Sequence, residues 1–330
     1  MISFILSRLL QALLVMLIVT LIAFSLFRYV GDPVLAMVGQ QTSAAERERL
    51  RVELGLDDPV IVQFGRFVAN ATLGDLGISY RQKRPVLDML VERLPATLEL
   101  SIVSSLMALV LGIAMGVYSA LHRDSWTTRF IQVFSLVGIS LPPFLVGILL
   151  IFAFSVGLGW LPSSGRGEVV QLGWWSTGLL TTSGLAALVM PATTLALYQI
   201  TLIVRLVRAE MLWVIKSDYI RFARARGLTD RAVNLGHALR NTLVPVITIA
   251  GLQLGSVIAF AIVTETVFQW PGMGYQFIQA VMNVDLPVMA AYLVFVALVF
   301  VIINLIVDLL YYVIDPRLES NRGIGGGHPG

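Results

Sequence analysis

The sequence contains no cysteine, three histidines and only two lysines in 330 residues. The absence of cysteine excludes disulfides, a thiolate nucleophile and thiolate metal sites. The histidines His122, His237 and His328 stand singly, which is unlike the close spacing of a metal site. Neither Lys83 nor Lys216 completes a phosphate-binding G-x-x-x-x-G-K-[ST] loop, so the chain has no P-loop of its own. We therefore predict no cofactor, no metal and no catalytic site. An intramembrane enzyme is a disfavoured alternative, because no histidine in an apolar span could act as base for a serine.

Charge is scarce as well. Charged residues make up 13% of the chain, hydrophobic residues make up 57%, and the mean hydropathy is +0.84. The charged share is about half that of a soluble domain. Because a helix satisfies its own backbone hydrogen bonds in lipid, this composition predicts an all-α polytopic protein embedded in a bilayer.

Six apolar stretches are long enough to cross a membrane. The first covers residues 9–27 without a charge, and as a helix it would span about 29 Å. A cleaved signal peptide beginning at Arg8 is the alternative, but the run is too long and no small-residue cleavage site follows it. We predict an uncleaved first span, then spans over residues 100–121, 130–158, 186–204, 243–263 and 288–314.

Glycine and proline mark special positions inside these spans. The pattern GxxxG occurs at 112–116 and at 251–255, and it favours close approach of a neighbouring helix, although chance glycines explain the first pattern about as well. Pro142 and Pro143 remove two backbone donors, so we expect the third span to bend there.

The longest polar region, residues 28–97, carries nine basic and nine acidic residues. Ser43 and Glu46 have the spacing of a capping box, which predicts a helix there, and a second helical stretch covers 59–71. A loop of this length is translocated regardless of its charge. Further along, the weakly apolar residues 172–185 are too few to span and are predicted to lie in the interface, with Trp174 and Trp175 in its aromatic belt.

The predicted organisation thus has four regions. They are a first span over 1–27, an extracytoplasmic loop over 28–97, a membrane core over 98–316 that includes a cytoplasmic loop over 205–242, and a glycine-rich disordered tail over 317–330.

Basic residues indicate the orientation. With the N-terminus in the cytoplasm, the inner segments carry thirteen basic residues and the short outer loops carry only Arg166. This asymmetry follows the positive-inside rule. We therefore predict that both termini and the basic loop are cytoplasmic.

The basic loop resembles a docking device more than a simple connection. Eight of the 23 basic residues lie between 205 and 245. Tyr219, Phe222, Ala223 and Arg226 share one face at helical spacing, and Gly227 is placed to end that helix. A second short helix is then predicted, capped by Thr229 or Asp230, with an apolar stripe of Ala232, Leu235, Gly236 and Leu239. A helix-turn-helix DNA reader is the alternative, but about a dozen residues on either side leave no room for a duplex between the motif and the membrane.

Four polar residues in or near the later spans are costly in lipid and are expected to face protein or water. They are Gln253, Glu265, Asn304 and Asp308. A solute pathway is one interpretation. An ion pair near the cytoplasmic end of the last span is favoured for Asp308, and ordinary interfacial solvation is the alternative for Glu265.

Several motifs in fixed order resemble the permease subunits of bacterial ABC importers of the dipeptide, oligopeptide and nickel type. The resemblance covers residues 2–317. The motifs are GDP at 31–33, ELGLDDP at 53–59, GDLGIS at 74–79, RLPATLEL at 93–100, YIRFARARGL at 219–228, HALRNTLVPVIT at 237–248, TETVFQWPGMG at 264–274 and NLIVDLLYYVIDPR at 304–317.

The resemblance implies the six-helix type I permease fold in a bacterial inner membrane. It also implies a second permease subunit, two ABC ATPase subunits and an extracytoplasmic solute-binding protein as partners, with peptides as the default solute. In such importers the cytoplasmic loop forms a coupling helix seated on the ATPase. The corresponding residues here are Tyr219, Arg221, Phe222, Ala223, Arg224, Arg226 and Gly227.

The loop departs from the general family pattern, E-A-A-x-x-x-G followed by I-x-L-P. Ala223 and Gly227 match it, whereas Arg221 and Phe222 replace the acid and the first alanine. His237 and Arg240 replace the isoleucine and proline, as is typical of the peptide-type branch. The missing acid suggests that the arginines meet acidic groups on the ATPase instead.

Two questions stay open at this point. Nickel complexes, glutathione and oligosaccharides are handled by similar permeases, so the sequence does not fix the solute. An ion-coupled secondary transporter that uses acids such as Asp308 is the main rival mechanism, and it predicts uptake by this chain alone.

Overall fold

Helices dominate the computed structural model, which describes residues 2–29, 34, 43–53 and 56–314. The predicted tail 317–330, the motif at 31–33, part of the motif at 53–59 and the side chain of Asp308 lie outside the described residues. Six helices are described before residue 158: α1 Ile2–Tyr29, α2 Ala44–Glu53, α3 Val60–Thr72, α4 Val86–Leu121, α5 Trp126–Ser140 and α6 Pro143–Leu150. Helix α6 continues as the π-helix Ile151–Gly157. The later helices are α7 Thr182–Val214, α8 Asp218–Ala225, the π-helix Ala232–Ala238, α9 Leu239–Val267, α10 Met273–Met282 and α11 Leu286–Ile314.

The predicted spans are confirmed within the described residues. Five helical segments are long and apolar enough to cross a membrane: Leu6–Leu26, Val86–Leu121, Thr182–Val214, Ala232–Val267 and Leu286–Val307. A sixth forms if Trp126–Ser140 and Pro143–Gly157 count as one broken span. These two helices meet at 112°, so the bend expected at the paired prolines is present.

A small hairpin departs from the all-helical prediction. Strand β1 (Val170–Leu172) pairs antiparallel with β2 (Trp175–Thr177), and Gly173 in the two-residue turn has φ +67°. The sequence analysis expected only an interfacial segment over 172–185. Three-residue strands are too short to show the alternation that identifies a strand in a sequence.

The two helices predicted within residues 28–97 are both present. Helix α2 begins directly after Ser43, whose hydroxyl accepts from the backbone N–H of Glu46 at 3.3 Å, as the capping box predicts. The second predicted helix, at 59–71, corresponds to α3.

Contacts divide the chain into two units. The first comprises Met1–Glu99, Gly159–Leu188 and Ile258–Val301. Its main core joins the beginning of α4 to α10 and the beginning of α11, through the buried side chains of Leu90, Met273 and Leu286. Around Ala23 of α1, a smaller cluster joins α1 to α11 and α3. Helix α3 is thereby fixed to the other helices of the first unit through apolar burial.

The second unit comprises Leu100–Leu158, Val189–Val257 and Ile302–Gly330. Its core is built largely from α4 and α7. A Cβ added at Gly112 would lie 2.7 Å from Ile203 Cγ2, and one at Gly116 would lie 2.7 Å from Val207 Cβ. The close approach predicted for this GxxxG pattern is therefore confirmed, since any larger residue would push the two helices apart.

Candidate functional site

The predicted coupling segment forms a short helix in the second unit. Helix α8 starts after Ser217, and Asp218 in its first turn suits the positive end of the helix dipole. It ends where the sequence predicted, because Gly227 has φ +79°, a conformation that glycine adopts without strain. No other atom outside its chain neighbours lies within 4 Å of where a Gly227 Cβ would be.

One face of α8 is buried. Ile220 is 0% exposed, and together with Ala223 it joins the core of the second unit, which also contains Val233 and Ala238 of the following helix. Full burial of an isoleucine side chain stabilises a fold by about 1.5–3 kcal/mol. These two side chains therefore fasten α8 to its own unit. The sequence analysis grouped Ala223 with the docking face, but the structure places it on the buried side.

The opposite face is aromatic and basic. Phe222 is 65% exposed and Tyr219 is 45% exposed. The Arg226 guanidinium carbon lies 5.9 Å from the centroid of the Phe222 ring, within cation–π range. Exposed large apolar side chains on a short helix outside the spans indicate a surface that a partner covers.

Among the described residues, the ion pairs of Arg221 and Arg224 are exposed ones. Arg221 meets Asp218 at 3.1 Å and Arg224 meets Asp230 at 3.9 Å. Exposed pairs of this kind contribute about 0–1 kcal/mol. Both arginines can therefore turn toward acidic groups of another protein at little cost.

His237 is a site residue that the sequence analysis did not assign to this surface. The Tyr219 hydroxyl lies 2.9 Å from His237 Nδ1. This bond ties the exposed face of α8 to the π-helix that follows. No local pattern signals it, because the two residues are 18 positions apart and neither belongs to a pairing motif.

The second short helix was predicted only in part. Thr229 caps it as expected, with its hydroxyl accepting from Ala232 N at 3.4 Å. The helix is not short, however, since Ala232–Ala238 runs directly into α9. The apolar stripe is also wrong, because Leu235 and Gly236 are exposed while Val233 and Ala238 are buried. The wider π-helical turn changes which residues face the core.

In the first unit, Glu265 is the centre of a buried polar network and is 0% exposed. Its carboxylate accepts from the Thr97 hydroxyl at 2.6 Å and from Tyr275 N at 2.9 Å. A Cβ at Gly272 would collide with the carboxylate. The alternative of an ordinary solvated position is therefore wrong. The bonds are structural, and in this conformation the carboxylate contacts protein on all sides.

The same network joins two motifs that the sequence analysis quoted separately. Trp270 donates from Nε1 to the carbonyl of Ala96 at 2.9 Å, and Met273 N donates to the Thr97 hydroxyl at 2.8 Å. Arg93 donates to the carbonyl of Pro271 at 3.3 Å. The segment at 93–100 and the turn at 264–274 are thus locked together by side chains that each motif supplies to the other.

A second buried group, missed by the sequence analysis, holds the hairpin. Arg166 pairs with Glu99 at 2.6 Å, and both side chains are buried. The guanidinium also donates to the carbonyl of Ser176 at 2.7 Å, and Gly178 N donates to Glu99 at 3.2 Å. Arg166, the one basic residue of the loops predicted to be short and outer, is therefore a structural group in a buried pair.

Buried hydrogen bonds also fix the loop at 74–79. The Ser79 hydroxyl and the Tyr80 backbone N–H both donate to Asp285, at 2.5 and 3.1 Å. Burial raises the pKa of the Tyr80 phenol, and the negative charge of Asp285 adds to this shift. Tyr80 therefore stays neutral at physiological pH.

Two of the other predicted pathway residues lie in the second unit. Gln253 and Asn304 are half-buried. Near Gln253, helix α9 packs closely against α11, since a Cβ at Gly251 would lie 2.8 Å from Val307 Cγ1. A role of Gln253, Glu265, Asn304 or Asp308 in a pathway stays a prediction.

Comparison with known proteins gives consistent results along the whole chain. The family model described as "Binding-protein-dependent transport system inner membrane component" matches residues 108–320, and the model for the N-terminal part of such components matches residues 1–101. A putative peptide transport system permease of Brucella abortus is 40% identical over 320 residues, covering 96% of this chain and 99% of that protein.

Two further relatives carry more specific names. The dipeptide transport system permease DppB of Alkalihalophilus pseudofirmus is 36% identical over 97% of this chain and 100% of its own. The glutathione transport system permease GsiC of Escherichia coli is 37% identical over 97% of this chain and 99% of its own. Among solved structures, the inward-facing MetNI methionine ABC transporter aligns with a TM-score of 0.55 at 20% identity, over 69% of this chain and 96% of that one. This last similarity concerns the fold alone.

Proposed function

The chain belongs to the family of binding-protein-dependent transport system inner membrane components, and we propose that it forms half of the membrane pathway of an ATP-driven importer of peptides. The relatives carry names of peptide, dipeptide and glutathione transport. Glutathione is itself a small peptide, so the three names share one solute class. Import of nickel complexes or oligosaccharides by the same kind of machine is the alternative solute assignment.

The proposal depends on one feature of α8: one face is buried in the core and the other is exposed. Its Ile220 and Ala223 are packed into the core of the second unit, whereas Tyr219 and Phe222 project outward. A force applied to the exposed face is therefore transmitted to the core that contains α4 and α7. The chain has no P-loop, so the energy must come from outside it. Two separate ATPase subunits supply that energy when nucleotide binding brings them together and shifts the permease between two states.

The remaining partners follow from the same assignment. A second permease subunit completes the pathway, and an extracytoplasmic binding protein delivers the peptide. The thirteen basic residues of the predicted inner segments support a cytoplasmic location for both termini and for α8, on the side where ATPase subunits would bind.

Replacing Phe222 with Asp tests the docking role. We expect Phe222→Asp to abolish peptide uptake by cells, while the subunit still reaches the membrane and the ATPase no longer co-purifies with it. Arg123→Asp, in the exposed turn before α5, introduces the same side chain elsewhere and should leave uptake and co-purification unchanged. Normal uptake by the Phe222 variant would refute the docking role.

The ion-coupled alternative needs a separate experiment. The full chain, reconstituted into vesicles with a proton or sodium gradient but without ATPase subunits, should accumulate no peptide. Accumulation under those conditions would contradict the ATP-driven mechanism.

A further inference from the structure

A cavity of about 390 Å³ lies between α5 and α7 in the second unit. Its polar lining consists of Gln132 and Ser135 from α5 and of Arg205 and Arg208 from α7. The two arginines are three residues apart, so they lie on the same side of α7. Among the lining residues there is no acid.

The positive charge of this cavity is fixed in place but not neutralised. With its amide oxygen turned toward Arg208, Gln132 accepts from Nη1 at 2.7 Å and from Nη2 at 2.8 Å. A neutral amide orients the guanidinium without cancelling its charge. Within the described part of the chain, no ion pair involves Arg205 or Arg208.

Two donors in the cavity have no partner. The Ser135 side chain is 3% exposed, and its hydroxyl makes no hydrogen bond to any described residue. The Nε of Arg208 is likewise buried without a partner among the described residues. Buried polar groups are almost always hydrogen-bonded, so such groups indicate a missing ligand. A serine hydroxyl and two guanidinium groups, from residues that line one space, fit an oxyanion.

The surroundings indicate which oxyanion fits. Leu136, which also lines the cavity, is 65% exposed, and Val133 and Phe130 on α5 are exposed as well. Trp126, Phe130 and Phe134 form a stacked row along α5 with centroids 6.3 Å apart at each step. Both α5 and α7 belong to predicted membrane spans. The ligand should therefore combine an anionic group with apolar chains.

We propose that this cavity binds the phosphate group of an anionic phospholipid, with its acyl chains against the exposed apolar face of α5. Arg205 and Arg208 supply the charge, and Ser135 donates a hydrogen bond to a phosphate oxygen. Basic pockets between transmembrane helices on the cytoplasmic side are known to take such head groups. The location of this lipid in the cytoplasmic leaflet rests on the orientation given in the proposed function. The binding of the lipid to the cavity does not depend on that orientation.

Native mass spectrometry of the purified full chain tests the proposal. The chain is delipidated in detergent and then exposed separately to phosphatidylglycerol, phosphatidylcholine, inorganic phosphate or a dipeptide. We expect bound phosphatidylglycerol, and at least about tenfold weaker binding in Arg205→Gln/Arg208→Gln, because a hydrogen bond to a charged group is worth about 1.5–3 kcal/mol.

Two further variants keep the result interpretable if the double variant does not fold. Ser135→Ala removes only one hydroxyl and should weaken phosphatidylglycerol binding by roughly threefold to tenfold. Arg123→Gln removes an exposed charge outside the cavity and should bind like the wild-type chain.

Several outcomes would overturn the lipid site. One is that the cavity variants retain as much phosphatidylglycerol as the wild-type chain. Another is that the wild-type chain binds phosphatidylcholine as well as phosphatidylglycerol. The last two are that it binds inorganic phosphate without lipid, or the dipeptide instead of phosphatidylglycerol. None of these measurements requires transport. Absence of ATP-dependent peptide uptake by the wild-type chain and its partner subunits, with lipid still bound, would instead contradict the proposed function and leave the lipid site in place.

Discussion

The phenol oxygen of Tyr219 lies 2.9 Å from Nδ1 of His237, and the two rings meet edge-on with centroids 5.8 Å apart. The contact fixes the direction of an aromatic side chain on the exposed face of α8. It also links that face to the π-helix that opens α9. The proposed docking surface is therefore held by two contacts, the burial of Ile220 in the core and the bond from Tyr219 to His237.

Removing the Tyr219 hydroxyl should weaken coupling without unfolding the protein. A single net hydrogen bond is worth about 1 kcal/mol, so we expect Tyr219→Phe to lower the initial rate of peptide uptake by roughly fivefold at normal subunit levels. The measurement is uptake of labelled peptide by cells, with the amount of subunit determined by immunoblot. Tyr198→Phe, an exposed tyrosine of α7, is the matched control. If both variants transport alike, the bond to His237 has no part in coupling.

Neutralising Glu265 should destabilise the first unit. The amide of Glu265→Gln keeps one oxygen acceptor, but its NH2 group must face either the Thr97 hydroxyl or Tyr275 N, each of which donates to the carboxylate. We expect a loss of about 1–3 kcal/mol in the free energy of unfolding, seen as a lower midpoint of thermal unfolding followed by tryptophan fluorescence. Glu168→Gln changes an exposed carboxylate and should leave the midpoint unchanged. A Glu265 variant as stable as this control would show that the network contributes nothing.

Removing one partner of the buried pair Arg166–Glu99 should cost more stability than removing both. Arg166→Met leaves Glu99 buried and unpaired, at a cost of about 3–5 kcal/mol in unfolding free energy. The double variant Glu99→Leu/Arg166→Met removes both charges and should recover much of that loss. Disrupting the exposed pair Arg66–Asp58 should cost less than about 1 kcal/mol. A double variant no more stable than Arg166→Met would argue against an uncompensated buried charge.

The glycines of α4 should tolerate no side chain. Gly112→Ala and Gly116→Ala each place a methyl group about 2.7 Å from a branched side chain of α7, and overpacking of this kind costs about 1–3 kcal/mol. Gly236→Ala meets nothing within 4 Å and should raise stability by about 0.5–1 kcal/mol, since alanine favours a helix. The readout is the thermal unfolding midpoint of the purified variants. Wild-type stability in the α4 variants would mean that α4 and α7 do not pack as closely as described.

Local patterns were sufficient for much of the architecture. The spans, the bend at Pro142 and the end of α8 at Gly227 each depend on residues that lie next to one another in the chain. Hydropathy over about 20 residues, a missing backbone donor and a left-handed glycine all act within one segment. The candidate coupling surface was predicted for the same reason, since Tyr219 and Phe222 are one helical turn apart.

Only the tertiary structure decided which polar groups pair and which face of each helix is covered. Glu265 meets Thr97 across 168 positions, Asp285 meets Ser79 across 206, and Arg166 meets Glu99 across 67. No local pattern identifies such partners, because their proximity depends on how the helices pack. Helical periodicity likewise placed Ala223 with Phe222, whereas contact with Val233 and Ala238 determined that Ala223 is buried. The amino-acid sequence by itself thus determined the spans and their breaks, and packing determined the buried networks that hold them.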